Sequence, residues 1–295
     1  MKVSIMTISM LVPLLRSGGN LAAGYRHMLQ EVAAAGFEKV DITSLELHVL
    51  GLEAVQRALG EVGLGVCSYI AFERFAQADE PPLEMQIAQS KAAANTAVAL
   101  GASVLMLAPQ AGDAIDTYTG AQLRQAMAAR WGPAAGYAKT LGLHPVVENT
   151  PDARLRLLTP TELTALLNAV PELEVVFDSG NALLALEDPA AYYALVAQRT
   201  THVHLKDMAE APSETPMADT ALDGRRLTGA PLGTGLVDLN GFAAATQRAA
   251  YQGWYTLEYY KEPGASEAAS LRRSWLLTKK LLHNAKMPLA RYQYL

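Results

Sequence analysis

The amino-acid sequence predicts an α/β fold: a single (β/α)8 barrel of the TIM type, one domain over residues 1–295. Three observations predict it. Strand-like and helix-like segments alternate eight times, in repeats of roughly thirty residues. The chain has 295 residues, 51% of them hydrophobic, enough for one large core without a linker or composition shift that would divide it. A doubly wound open sheet would share the alternation, but no glycine-rich phosphate turn follows an early strand here.

The elements follow in order from apolar periodicity and from start and stop residues. Val3 to Ile8 reads as the first strand, and Leu21 to Ala35 as a helix closed by Gly36. Phe37 to Ile42 is the second strand, followed by a short helix from Leu52 to Leu59. Leu64 to Ile70 is the third, and the alanine-rich Pro82 to Leu100 is a long helix stopped by Gly101. Ser103 to Ala108 is the fourth, with helical material from Gly120 to Leu141 that Gly132-Pro133 is expected to break. His144 to Glu148 is the fifth. The next helix opens with Thr159-Pro160-Thr161-Glu162, a threonine cap, a proline at the first helical position and a glutamate three residues after the cap. Glu174 to Asp178 is the sixth strand, and Asp188-Pro189 starts a helix to about Arg199. Thr201 to Lys206 is the seventh, with Asp238 capping a helix to Ala250. Trp254 to Glu258 is the eighth, and Glu267 to His283 the closing helix.

Charge and composition exclude several classes of function. The formal net charge is −5 and the pI about 5.7, so the chain lacks the basic footprint of a nucleic-acid binder. The one cysteine, Cys67, lies in the apolar run Val66-Cys67-Ser68-Tyr69-Ile70, reads as a small core residue and excludes an internal disulfide. Lys2, the apolar run to Leu15 and Ala22-Ala23-Gly24 loosely imitate a secretory signal. Pro13 and Arg16 interrupt that pattern, and a closed barrel needs Val3 to Ile8 as its first strand. The expected location is therefore cytoplasmic. No apolar stretch has the length of a membrane span, so no membrane partner is expected.

The segment with most chemistry is His202-Val203-His204-Leu205-Lys206-Asp207. Strand alternation puts His202, His204 and Lys206 on one face and Val203 and Leu205 on the other. Such a strand serves either as a half-buried surface strand or as a source of an imidazole ligand for a divalent metal. Barrel enzymes take their catalytic groups from the C-terminal ends of strands. The last polar residues of the late strands are Glu148, Asp178, His204 and Glu258. Each carboxylate alone could cap a helix or pair with a lysine. Three together at one side of a barrel mouth would raise one another's pKa unless a cation sat among them. Three oxygen donors and one imidazole suit one divalent ion, Mn²⁺ in first place, with Zn²⁺, Co²⁺ or Mg²⁺ as alternatives. After the seventh strand, residues 208–237 form a connection far longer than usual, rich in Pro, Ser, Thr, Asp and Gly. It is either a disordered insertion or a lid over the mouth.

Several motifs resemble those of the sugar phosphate isomerase/epimerase family, the xylose isomerase-like TIM barrels. Gly36-Phe37-Glu38-Lys39-Val40-Asp41-Ile42 is similar to the family's second strand and Val147-Glu148-Asn149 to its fifth. Phe177-Asp178-Ser179-Gly180-Asn181 is similar to the sixth, His202-Val203-His204-Leu205-Lys206-Asp207 to the seventh and Leu257-Glu258 to the end of the eighth. Pro231-Leu232-Gly233-Thr234-Gly235-Leu236-Val237-Asp238 resembles the family's glycine turn before the seventh helix. The resemblance covers nearly the whole chain. It implies that Glu148, Asp178, His204 and Glu258 are metal ligands, and that Glu148 and Glu258 also exchange the substrate's proton. Asn181 stands where many members have a substrate-contacting histidine, and Asp41 where glutamate is commoner. Endonuclease IV, in the same family, uses several further histidines, whereas this chain has six in total.

The expected reaction is proton transfer beside a metal-bound carbonyl in a small carbohydrate or keto-polyol, an isomerisation or epimerisation. A dehydratase (lyase) acting on a cyclic polyol or keto acid is the alternative, and a non-catalytic metal or sugar binder a third reading. Asn181, Lys206, Asp207 and Arg225 are the expected substrate contacts. Lys206 either neutralises substrate oxygens or pairs with Asp207, and Arg225-Arg226 suggests a phosphate. A homo-oligomer is compatible with the C-terminal Met287 to Leu295, where Tyr292 and Tyr294 either pack on a partner or fray.

Overall fold

The computed structural model describes residues 2–215 and 218–285, so Met287 to Leu295 lies outside the described residues. Its strands are β1 (Val3–Met6), β2 (Lys39–Thr43), β3 (Gly65–Phe75), β4 (Val104–Ala111), β5 (His144–Glu148), β6 (Glu174–Asp178), β7 (Thr200–Leu205), β8 (Asp207–Glu210), β9 (Asp219–Thr220), β10 (Arg226–Ala230) and β11 (Trp254–Glu258). Eight of them close a parallel barrel in the order β1-β11-β7-β6-β5-β4-β3-β2. Strand β1 pairs with both β11 and β2, so the N-terminal apolar run supplies the strand that seals the cylinder. Helices between consecutive barrel strands make this a (β/α)8 TIM barrel. No helix among the described residues is long and apolar enough to cross a membrane.

Local signals place the helices. Thr159 and Glu162 form the reciprocal cap expected of them, and Asp188 and Asp238 each accept a backbone N–H in the first turn of their helices. The structure differs from the sequence expectation in three places. The first strand stops at Met6, because the Thr7 carbonyl accepts N–H bonds from Met10 and Leu11 and starts a helix, Ile8–Arg16. A second unforeseen helix, Ser44–Leu50, follows β2 and is capped by Thr43 and Glu46. The helix Gly120–Thr140 runs unbroken through Pro133. A proline there removes one helical hydrogen bond, and the buried Arg130, Trp131, Ala134 and Ala135 on either side hold the helix to the barrel regardless.

The barrel carries two apolar layers because alternate strand residues face opposite ways. Outside, between strands and helices, lies the large core. Phe177 is typical: its ring packs against Tyr192, Tyr193 and Phe242 at centroid distances of 5.2, 5.5 and 5.4 Å. Burying such a ring is worth roughly 2–3 kcal/mol. It also fixes the alternation, so the next residue, Asp178, faces the barrel interior. Inside lies a smaller cluster of Met6, Ile70, Val104, Met106, Ala108, Val146 and Val176.

The long connection after β7 carries regular structure in its described residues. Strands β8, β10 and β9 form an antiparallel sheet outside the barrel, with its own cluster of Leu158, Leu184, Met208, Ala221 and Leu227. Asp207 closes this excursion at its root. One carboxylate oxygen accepts N–H bonds from Gly233 and Gly235, both at 2.9 Å, and the other accepts from Met208 and Val237 at 2.9 and 3.2 Å. A Cβ on residue 235 would overlap that carboxylate, so the turn needs glycine there. Replacing Asp207 with Ala should therefore strip the N–H groups of Gly233, Gly235 and Val237 of their acceptor, at a cost of about 3 kcal/mol. Hydrogen exchange should show those amides losing protection while barrel-strand amides keep theirs.

Candidate active site

Four consecutive barrel strands, β11-β7-β6-β5, carry Glu258, His204, Asp178 and Glu148 in that order around the mouth, each the last residue of its strand except His204, which is one residue before the end of β7. Asp178 and His204 are fully buried, Glu148 is nearly so, and Glu258 is half-buried at the mouth. Polar residues just past the strands hold these ends together where regular pairing stops. The Asn149 side chain donates to the Asp178 carbonyl at 2.9 Å and accepts the Asp178 N–H at 2.8 Å, tying β5 to β6. Ser179 does the same for β6 and β7, donating to the Lys206 carbonyl at 2.8 Å and accepting the Lys206 N–H at 3.0 Å.

The two glutamates stand in different surroundings. Glu148 lies 2.7 Å from His204 Nδ1 and 3.5 Å from Asn181 Nδ2. Glu258 Oε1 receives Lys206 Nζ at 3.1 Å and the Tyr260 hydroxyl at 2.8 Å. Lys206 also donates to Asn181 Oδ1 at 3.2 Å, so Asn181 and Lys206 bridge the two carboxylates. Beneath them a second layer begins with Asp41 in the middle of β2. His202 Nε2 is 2.8 Å and His204 Nε2 3.5 Å from Asp41 Oδ2, and His202 Nε2 is also 2.8 Å from Thr256 Oγ1. Cys67 is buried in this layer, 4.0 Å from His202 Nδ1.

Burial and crowding of charge set the protonation equilibria. Burial, then the negative charges of Glu258 and Glu148, push the Asp178 carboxyl well above the usual range. Burial also opposes charge on Glu258, but the Lys206 ammonium and neighbouring hydrogen bonds outweigh it, and its pKa falls. Burial disfavours a charged His204, yet bonds to Asp41 and Glu148 lift its pKa to about 10. Asp41, against the same burial penalty, is held down to about 2 by His202 and His204.

This donor set fits a divalent cation. Glu148, Asp178 and His204 each offer an atom within 4.8 Å of the others, all buried. Among the described residues, Asp178 Oδ2 has no hydrogen-bond partner, which is costly for a buried polar atom unless something else satisfies it, and His204 Nε2 has the Asp41 carboxylate at 3.5 Å without an aligned hydrogen bond. With Glu258 beside them, three carboxylates share a pocket to which Lys206 brings one fixed positive charge.

Comparison with known proteins agrees with this architecture. The model of the xylose isomerase-like TIM barrel family matches residues 29–279. The chain belongs to this family. A search of curated proteins finds no match. Among solved structures, a D-allulose 3-epimerase from Methylomonas sp. superposes with a TM-score of 0.71 at 20% identity, over 96% of this chain and 98% of the other. The probable 3-DHS dehydratase AsbF from Bacillus anthracis, involved in petrobactin synthesis, gives 0.68 at 17%, over 94% and 99%. The IOLI protein with a bound zinc atom gives 0.71 at 14%, over 97% and 100%. At these identities the likeness concerns the fold.

Within this family fold, the structure brings together Glu148, Asp178, His204, Glu258, Asn181 and Lys206, but neither Asp207 nor Arg225. The Asp207 carboxylate is spent on the glycine turn, so the ion pair of Lys206 is with Glu258 and not with its chain neighbour. Arg225 is exposed at the turn between β9 and β10, paired with Asp223 at 2.7 Å, and Arg226 donates to the Ser213 and Thr215 carbonyls. Both arginines thus shape the excursion. Sequence reasoning left three contributors unplaced: Asp41, Tyr260 and Asp219. Asp41 faces the interior in the middle of β2, two residues before the buried Thr43 that ends the strand, so a rule that reads strand ends passes over it. Tyr260 shares the parity of Glu258 two residues before it. Asp219 comes from β9, and burial raises its pKa against the pull of Lys206.

The Asp41 pKa gives a test with a defined sign. It lies below the ordinary 3.8, so the carboxylate stabilises the fold above pH 4, and that contribution disappears as pH falls through about 2. In chelator-treated protein, Asp41→Asn should lose about 2 kcal/mol at pH 7. Urea unfolding should show the deficit shrinking below about pH 4.

Proposed function

We propose that the protein is a divalent-metal-dependent isomerase or epimerase of a small sugar or keto-polyol, moving a proton at a carbon beside a carbonyl. The observation that carries this reading is the placement of two glutamates on either side of a buried Asp–His pair, in the strand order Glu258, His204, Asp178, Glu148. Those four residues would hold the cation, with Mn²⁺ the first choice among hard and borderline ions. A divalent ion held there would supply positive charge that makes a C–H next to a carbonyl more acidic.

The chain's own groups do the rest. Glu148 and Glu258 reach the reacting carbon from two sides, so a proton taken by one carboxylate can be returned by the other. Lys206, held by Asn181 and Glu258, keeps a positive charge beside Glu258 and can donate to a substrate oxygen. Asn181 orients Lys206 and donates to Glu148 from the opposite end of its amide.

A dehydratase on the same site is the second reading. Lys206 Nζ and the Tyr260 hydroxyl both converge on Glu258, which gathers proton donors on one side of the site, where a leaving hydroxyl would need them.

Glu258→Gln should abolish turnover of any substrate found by screening ketoses, keto-inositols and keto acids, with unchanged circular dichroism. Turnover at the wild-type rate would sink the assignment. In deuterated buffer, an isomerase or epimerase should return sugar carrying deuterium with no loss of water, whereas a lyase should release water. Elemental analysis should find about one divalent ion per chain, lost in Asp178→Ala. His204, with its pKa near 10, must shed a proton to become a ligand. Mn²⁺ affinity should therefore rise about tenfold per pH unit through the neutral range, as read by calorimetry in buffers of different ionisation enthalpy. A flat profile would mean that binding releases no proton from His204.

A further inference from the structure

Glu258 Oε1 accepts from two donors at once, Lys206 Nζ at 3.1 Å and the Tyr260 hydroxyl at 2.8 Å. Both donors are anchored to the excursion. Lys206 is the residue from which β8 departs, at Asp207. Tyr260 lies past the end of β11, and its ring rests on β10, one residue before that strand ends. There Gly229 presents bare backbone: a Cβ at that position would overlap Cζ, Cε1 and Cε2 of the ring. Gly229 is paired with Met208 in β8, so the seat of the ring is fixed relative to Lys206 by sheet register. The phenol is half-buried, with its hydroxyl aimed at the carboxylate.

We propose that Tyr260 is a positioning residue for Glu258: seated on Gly229 of the excursion sheet, it locks Oε1 and leaves Oε2 as the oxygen that serves the site. Partners of this kind orient a ligating carboxylate, and their loss typically weakens metal binding by about 10- to 100-fold. The contact of the Tyr260 ring with the bare backbone of Gly229 is then one route by which the excursion acts on the site. This inference rests on the reading that Glu258 is a metal ligand.

The test is Mn²⁺ affinity, measured by calorimetry on the full chain, with the thermal midpoint of the metal-free protein recorded alongside. Tyr260→Phe removes one oxygen and keeps the ring. It should weaken Mn²⁺ binding about tenfold or more while the metal-free midpoint stays close to that of the wild type. Gly229→Ala should weaken binding comparably, because the methyl group displaces the ring. In a Tyr260→Ala background, Gly229→Ala should have no further effect, since no ring remains to displace. Wild-type affinity in Tyr260→Phe would overturn the proposal, as would a Gly229→Ala loss of equal size in both backgrounds. A metal-free midpoint that drops with unchanged affinity would make the contact mere packing and overturn it too. If Gly229→Ala does not fold, Tyr260→Phe decides alone. Wild-type protein that binds no Mn²⁺ would remove the metal reading itself, an outcome distinct from failure of the positioning role alone.

Discussion

Like charges buried together are the constraint on which the mouth of this barrel depends. Glu148, Asp178 and Glu258 stand at neighbouring strand ends, with Asp41 one layer below. Removing a carboxylate from water costs several kcal/mol even after the protein relaxes, and each further one adds repulsion. The chain offsets part of this locally. Asp41 is neutralised between two imidazoles, and Glu258 by Lys206. Asp178 has no comparable partner, and its raised pKa expresses that imbalance. A barrel interior carries such strain because the surrounding scaffold, closed strand by strand and packed by helices, cannot relax without losing its whole core.

That interior is lopsided. On the β5–β11 side, alternate residues supply carboxylates, imidazoles and an ammonium. On the β1–β4 side the interior is mostly apolar, with Met6, Ile70, Met106 and Ala108, and Asp41 of β2 is the charged exception one layer down. Most of the charge lies in one half, and the apolar residues lower the local dielectric so that the charges act strongly on one another. Small polar residues align the halves: Ser4 bonds Thr256 across the β1–β11 seam, and Asn149 and Ser179 stitch the ends that carry acid groups.

Much of this was legible in the sequence, and for physical reasons. Period-two alternation inside eight apolar runs predicts which residues face inward, and helix caps such as Thr159 and Asp188 punctuate the runs. The strand-end rule therefore found Glu148, Asp178, His204 and Glu258, which do cluster. What escaped depends on geometry that spacing does not encode. The run from Val3 to Leu15 satisfies both strand and helix periods, so the turn at Thr7 was invisible. Pro133 reads as a breaker until tertiary packing outweighs one lost hydrogen bond. Lys206 and Asp207 are adjacent in sequence, but their side chains leave the chain in opposite directions, and the ion pair between them that sequence suggested does not form. Tyr260 matters through contact with a glycine thirty-one residues earlier, a relation visible only after β10 is placed.

The Asp207 clamp also changes how the excursion should be regarded. One carboxylate holds residue 208, where the segment departs, and residues 233, 235 and 237, where it returns. The two stems are thus joined independently of what lies between them. For a loop already closed at its base, lengthening costs little, about 0.6 kcal/mol per doubling for a flexible chain. The tip around the β9–β10 turn can be enlarged, trimmed or exchanged while Lys206 stays where it is. Asp207 therefore divides the segment into a fixed socket and an interchangeable module.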